Sequence, residues 1–386
     1  MGTEEAAELL ERHKPLLRYD SQGSFYADSA RGMPERAANM LRRADGSAIA
    51  TAAPGGLTLD FLGARRYGDG SRVGRDDYLD AAGRDYVLQA REIHANSAYA
   101  DRTYGHLALD KAGRRWLQYW FFYYYNDKAF LGFGLHEGDW EMVQIRLGTG
   151  GAPEAMTFAQ HEHGERCSWQ QVERRGNRPV VYVARGSQAS YPRSGRHRAP
   201  IVPDHADGRG AEVSPELETL DGRRLRWVGW PGRWGSTRAR NVAESSSPRG
   251  PRQHGQWERP QEFHEDAVEK LGLRGMVQGQ PELRVAPAPR ISAERVGDRA
   301  IVRYALPRPR RGESLPVQIV VSVDSPDDDL PPASYSFPVE EARGTIEHPL
   351  KLEDRRYVVR ASGFTREAVG SDTVEVPLRR RRTRRR

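Results

Sequence analysis

The chain has 386 residues, 29% charged and 37% hydrophobic, which is room for about two domains at the usual ~150 residues each. A mean hydropathy of -0.77, with the longest apolar run at Trp116 to Asn126, excludes a membrane-spanning helix, and a single cysteine, Cys167, excludes an internal disulfide or a cysteine-based zinc site. The net charge of +7 suggests a polyanionic partner until it is located: Arg379 to Arg386 hold seven arginines and one threonine, and the rest balances at 53 basic against 53 acidic residues.

The first thirty residues carry Glu4, Glu5, Glu8 and Glu11 and do not read as a signal peptide, so the expected location is the cytoplasm, with export by another route left open. A short helix is expected over 4–14, with Leu9, Leu10 and His13 on one side and Pro15 as its stop. From Leu16 to Tyr99 the periodicity is too weak to assign elements. Tyr104 to Asp110 and Trp116 to Asn126 read as a hairpin of aromatic strands, the second apolar on both faces and therefore central. Trp140 to Leu147, Met156 to His163 and Pro179 to Ala184 are further strands, and this rhythm predicts a mainly β protein built on a β-sandwich with peripheral helices. From Trp227 to Phe263 the chain is rich in Gly, Pro, Arg and Trp, and four tryptophans are too costly to leave in water, so this stretch should wrap on the body. Residues 1–275 thus form one β-rich domain with its core at about 100–200, and 276–289 form a linker. Residues 290–378 read as an Ig-like or fibronectin-III-like sandwich without its disulfide, and 379–386 as a disordered tail. No fixed-period repeat is present.

The chemistry concentrates in the strand Asp139-Trp-Glu-Met-Val-Gln-Ile-Arg-Leu147. Alternation puts Asp139 and Glu141 on the face of Val143, Ile145 and Leu147, where two carboxylates are costly unless paired, protonated or bound to a cation. His136 precedes them in a Gly-containing turn, and the set suits a divalent ion with oxygen ligands, Mg, Ca or Mn. The competing reading is an acidic strand end paired with nearby arginines. His161 and His163 share a face of the next strand and are candidate supporting donors, or surface histidines beside Gly164. Cys167 reads as an inert lone thiol, and Ser187 and Ser190 in Gly-Ser-Gln-Ala-Ser lack the form of a nucleophile elbow. The stripe Tyr119, Phe121, Tyr123, Tyr125 reads as core.

Trp116-Leu-Gln-Tyr-Trp-Phe-Phe-Tyr-Tyr-Tyr-Asn126, His136-Glu-Gly-Asp-Trp-Glu141, Ala159-Gln-His161 and Pro179-Val-Val-Tyr-Val-Ala-Arg-Gly-Ser-Gln-Ala-Ser-Tyr191 together resemble the Vps62-type domain family, best over 100–200. Gln188 departs from it, standing where the family typically has a histidine. The Asp-Trp-Glu string is also distantly similar to the Gly-His-Arg-His-Asp-Trp-Glu of necrosis-inducing cytolysins, β-sandwich toxins that hold a divalent cation and engage sphingolipid head groups. That similarity implies His136, Asp139 and Glu141 as ligands, with Gly138 replacing the toxins' second histidine and Asp127 as the nearest candidate for their upstream Asp.

The resulting expectation is a non-enzymatic binding protein whose metal-assisted site takes a polar or anionic lipid head group or a glycan, with His161, His163, Ser187 and Gln188 around it. The rival is a metal-dependent phosphoester or ester hydrolase with His161 or Glu141 as base. A third reading is contact with nucleic acid or an anionic membrane through Arg379, Arg380, Arg381, Arg382, Arg384, Arg385 and Arg386.

Overall fold

The aromatic strands form the centre of a six-stranded sheet. In chain order its strands are β1 (Arg102–Leu109), β2 (Arg115–Asn126), β3 (His136–Leu147), β4 (Pro153–Gln160), β5 (His163–Ser168) and β6 (Glu216–Thr219), arranged β6-β1-β2-β3-β4-β5. β6 runs parallel to β1, and the β1-β2-β3-β4 neighbours are antiparallel. β2 is apolar on both faces and so needs cover on both; from Trp116 to Asn126 every residue is buried. The computed structural model describes residues 3–51, 56–128, 134–160, 163–197, 203–220, 225–236, 246–268, 287–308, 316, 318–324, 333–338, 342–350, 356–364 and 369–376.

Each face of this sheet has its own cover. On the face of Phe122 and Trp140 lies the Gly/Pro/Trp-rich stretch, in which Trp227, Trp230, Trp234 and Trp257 are all buried. Trp140 lies 5.1 Å from Phe122 and 5.2 Å from Trp234, tilted or edge-on as ring quadrupoles prefer. The stretch is irregular, so its carbonyls need side-chain donors: Gln118 Nε2 donates to Gln256 O at 2.6 Å and Gln144 Nε2 to Pro260 O at 2.7 Å. The other face meets helix α1 (Thr3–Arg12), where Tyr119 OH donates to Leu10 O at 2.9 Å, and the short strand Ser190–Tyr191, which pairs with Arg178–Val183 and packs on β3 and β4.

The stretch from Leu16 to Tyr99, unassigned from sequence, holds the strands Leu16–Tyr19, Met40–Arg42, Ala48–Thr51 and Tyr78–Asp80 and the helix Tyr86–Ala95. Strands of three or four residues are too short to display a period. The expected strand Met156 to His163 ends instead at Gln160, and His163 opens β5. Among the described residues no helix is long and apolar enough to cross a membrane.

The chain divides into two compact units, Met1–Arg166 with Val181–Val268, and Cys167–Val180 with Glu269–Arg386. In the second, Arg290–Val296, Arg299–Ala305 and Arg343–Pro349 form one sheet, while Gln318–Asp324, Ala333–Pro338, Tyr357–Phe364 and Val369–Val376 form part of another. Ala333–Pro338 also pairs with Arg174–Arg175 from the short segment. Val302, Tyr304 and Ile346 from the first sheet and Ile319, Val321, Val359 and Val376 from the second share one core. The Arg-rich tail and most of the expected linker lie outside the described residues.

Candidate functional site

Asp139 and Glu141 flank Trp140, and alternation along β3 separates them from it. Trp140 enters the aromatic cluster, while Asp139 and Glu141 face the other way, opposite Tyr123 and Phe121 of β2. Both carboxylates are only 6% exposed. Among the described residues Glu141 has no hydrogen-bond or ion-pair partner; burial, with Asp139 and Asp204 repelling it, pushes its carboxyl well above the ordinary carboxylate range. Asp139 accepts from Asn126 Nδ2 at 3.3 Å, and Asn126 stands opposite His136 in the β2-β3 register.

His136 is half-buried, and its Nδ1 lies 2.8 Å from Gly138 O. A carbonyl only accepts, so Nδ1 is the donor of this bond and Nε2 is the ring atom left to meet a ligand. Gly138 makes this contact possible with φ +57°, and a Cβ there would lie 2.1 Å from Trp234 O. No side chain fits at this position.

Asp204 was not singled out from the sequence, and its charge bears on Glu141. Its carboxylate is fully buried and receives Lys128 Nζ, Ser187 Oγ at 2.5 Å and Tyr191 OH at 2.6 Å. Ser187 is therefore joined to the carboxylate group through Asp204. Gln188 is buried beside it in a left-handed conformation, φ +53°. Three buried polar atoms in these elements, Tyr123 OH, Gln188 Oε1 and Ser190 Oγ, have no hydrogen-bond partner among the described residues. Tyr123 lies within electrostatic reach of Asp139 and Glu141, and Tyr191 of Glu141.

The other expected members lie apart. Asp127 is exposed; its N–H donates to Gly186 O at 3.2 Å, and it is Asn126 that hydrogen-bonds Asp139. His163 is exposed and lines a cavity of about 260 Å³ with Gly164, Arg259, Glu262, Phe263 and Asp266. His161 and the seven tail arginines lie outside the described residues. Among the described residues, the group whose ligand atoms all fall within 4.8 Å of one another is Asp28, His94 and Asp101; His136, Asp139 and Glu141 do not come together to that degree. There His94 Nδ1 is 2.9 Å from Asp28 Oδ1, and hydrogen bonding to Asp28 raises the His94 pKa, the mark of an ion pair.

The aromatic β2, the Asp-Trp-Glu strand and the Ser187–Tyr191 turn fall in one stretch of chain. Residues 119–198 match the family model of vacuolar protein sorting-associated protein 62. The Vps62 segment thus contains every described carboxylate and hydroxyl of the site except Asp204, which lies just beyond its end. No curated protein sequence matches the chain. Among solved structures the chain is similar to NLPPya in complex with mannosamine, at 12% identity and a TM-score of 0.31 over 56% of this chain and 75% of that one. It is similar also to NLPPya in complex with glucosamine, at 12% identity and a TM-score of 0.29 over the same shares. A third, described as a toxin fold as basis for microbial attack and plant defense, has 13% identity and a TM-score of 0.28 over 55% and 73%.

Proposed function

We propose that the Vps62 segment is a non-enzymatic binding module that uses a divalent cation, held by Asp139 and Glu141 with His136 as a third candidate donor, to recognise the oxygens of a polar head group or glycan. The observation that carries this reading is the pair of adjacent buried carboxylates, of which Glu141 has no partner among the described residues while Asp139 and Asp204 repel it. A buried charge of this kind is tolerated when protonated or neutralised, and a cation neutralises two at once. The surrounding atoms suit a hard ion: two carboxylates, the unpartnered Tyr123 OH, Gln188 Oε1 and Ser190 Oγ, and no thiolate. When bound, the cation supplies Lewis-acid attraction for ligand oxygens. Asn126 orients Asp139, and Ser187 and Tyr191 keep Asp204 fixed.

The test is the melting temperature with and without millimolar Ca, Mg or Mn, in the wild type and in Glu141→Gln. The wild type should gain Tm with at least one ion. Glu141→Gln removes the repulsion without changing shape, so it should melt at or above the wild type without metal and lose the response to it. A wild type indifferent to all three ions, and metal-free by elemental analysis, defeats the reading.

A further inference from the structure

Three arginines from separate parts of the chain converge on one surface cavity. Arg65, Arg226 and Arg252, with Gly63, line a space of about 420 Å³, and among the described residues no carboxylate shares the lining. None of the three has an ion pair or side-chain hydrogen bond among the described residues, whereas most described arginines elsewhere do, as Arg42 does with Asp80 and Arg193 with Glu165. The lining therefore carries three positive charges with no counter-ion among the described residues.

Their convergence is built in by buried neighbours. Leu62 ends the short helix Leu59–Leu62 three residues before Arg65, Trp227 follows Arg226, and Pro251 precedes Arg252; all three of these anchors are buried. Gly63 permits the close approach: a Cβ there would meet Arg226 Cβ at 2.9 Å and Trp227 N at 3.0 Å. Three exposed cations whose backbones are held by these buried anchors surround a space large enough for a tetrahedral oxyanion, and their planar forks match phosphate oxygens in pairs.

We infer that Arg65, Arg226 and Arg252 form a binding site for a phosphate monoester group. The group comes either free in solution or on a lipid. The site shares no residue with the Asp139 and Glu141 centre, so the cation response and the phosphate response can fail separately.

The experiment uses the full chain and compares wild type with the double variant Arg226→Gln, Arg252→Gln. Inorganic phosphate is titrated by calorimetry, and vesicles of phosphatidylcholine containing phosphatidic acid are tested by co-sedimentation. The Arg-rich tail is common to both proteins, so the difference between them reads the cavity. Phosphate affinity should fall by about tenfold or more in the variant, since a charge-assisted hydrogen bond to an ion is worth at least that. The Tm without phosphate should not fall, because the change relieves repulsion. Arg226→Lys should retain part of the affinity as a point charge without the fork. Loss confined to the vesicle arm assigns the site to lipid phosphate, and loss in the phosphate arm to the soluble group. Equal binding by wild type and variant in both arms, or no binding by the wild type in either, overturns the inference.

Discussion

Gly138 answers two demands at one position: a backbone at φ +57° and a gap too small for a Cβ against Trp234 O. Gly138→Ala should therefore cost about 3 kcal/mol or more, read as a lower urea midpoint. Gly70→Ala, at φ +80° with nothing within 4 Å, should cost only the conformational part, about 1 kcal/mol. Equal losses would remove the steric argument. The Asp-Trp-Glu string was legible because a carboxylate-aromatic-carboxylate triplet on a strand must send charge to one face and ring to the other. Asp204 was not legible: it reaches the site from Asp204–Ala206, a three-residue strand with no pattern, and its partners Lys128, Ser187 and Tyr191 are scattered. Asn126 was passed over for the charged Asp127, yet it is the neutral amide that reaches Asp139 with a hydrogen bond.

Among the elements, the strands that bury both faces were the most readable and the shortest were invisible. β2 announced itself as central by having no polar side. The helix Pro260–Asp266 had no such signal, because what holds it is polar: Gln144 meets Pro260 O, and Thr157 Oγ1 lies 2.7 Å from His264 Nδ1. His264 also gives this element a pH dependence. Burial first, then the charges of Arg146, Arg166 and Arg114, push its pKa down to about 4. Between the ordinary value of 6.5 and about 4 the unfolded chain holds a proton there that the folded chain does not, so folding loses stability as the pH falls through that window. His264→Asn should flatten the wild-type stability curve between those limits by about 1.4 kcal/mol per pH unit and leave its slope above pH 7 unchanged. A parallel pair of curves, measured by denaturant titration, would contradict this.

At the scale of the molecule, the sequence divides its tryptophans unevenly. Trp116, Trp120, Trp140, Trp227, Trp230, Trp234 and Trp257 are buried in the first unit, while Trp169 is half-exposed in the segment of the second. Acrylamide should quench little more than that one residue, and Trp169→Phe should abolish most of the accessible emission; a large quenchable remainder would mean that the aromatic layer is open. The mainly β architecture and the covered Trp-rich stretch could be read from composition and alternation, since burial leaves its mark on residue choice. The participation of Cys167–Val180 in the second unit could not, because exchange of one short strand alters no local pattern. That exchange makes the two units inseparable by any single cut. A fragment starting at Glu269 lacks Arg174–Arg175, so one margin of Ala333–Pro338 is left with unclaimed backbone donors and acceptors. A gene fusion, an N-terminal truncation or a proteolytic cut that parts the chain between Val180 and Glu269 therefore releases not a spare domain but a sheet ready to add a foreign strand.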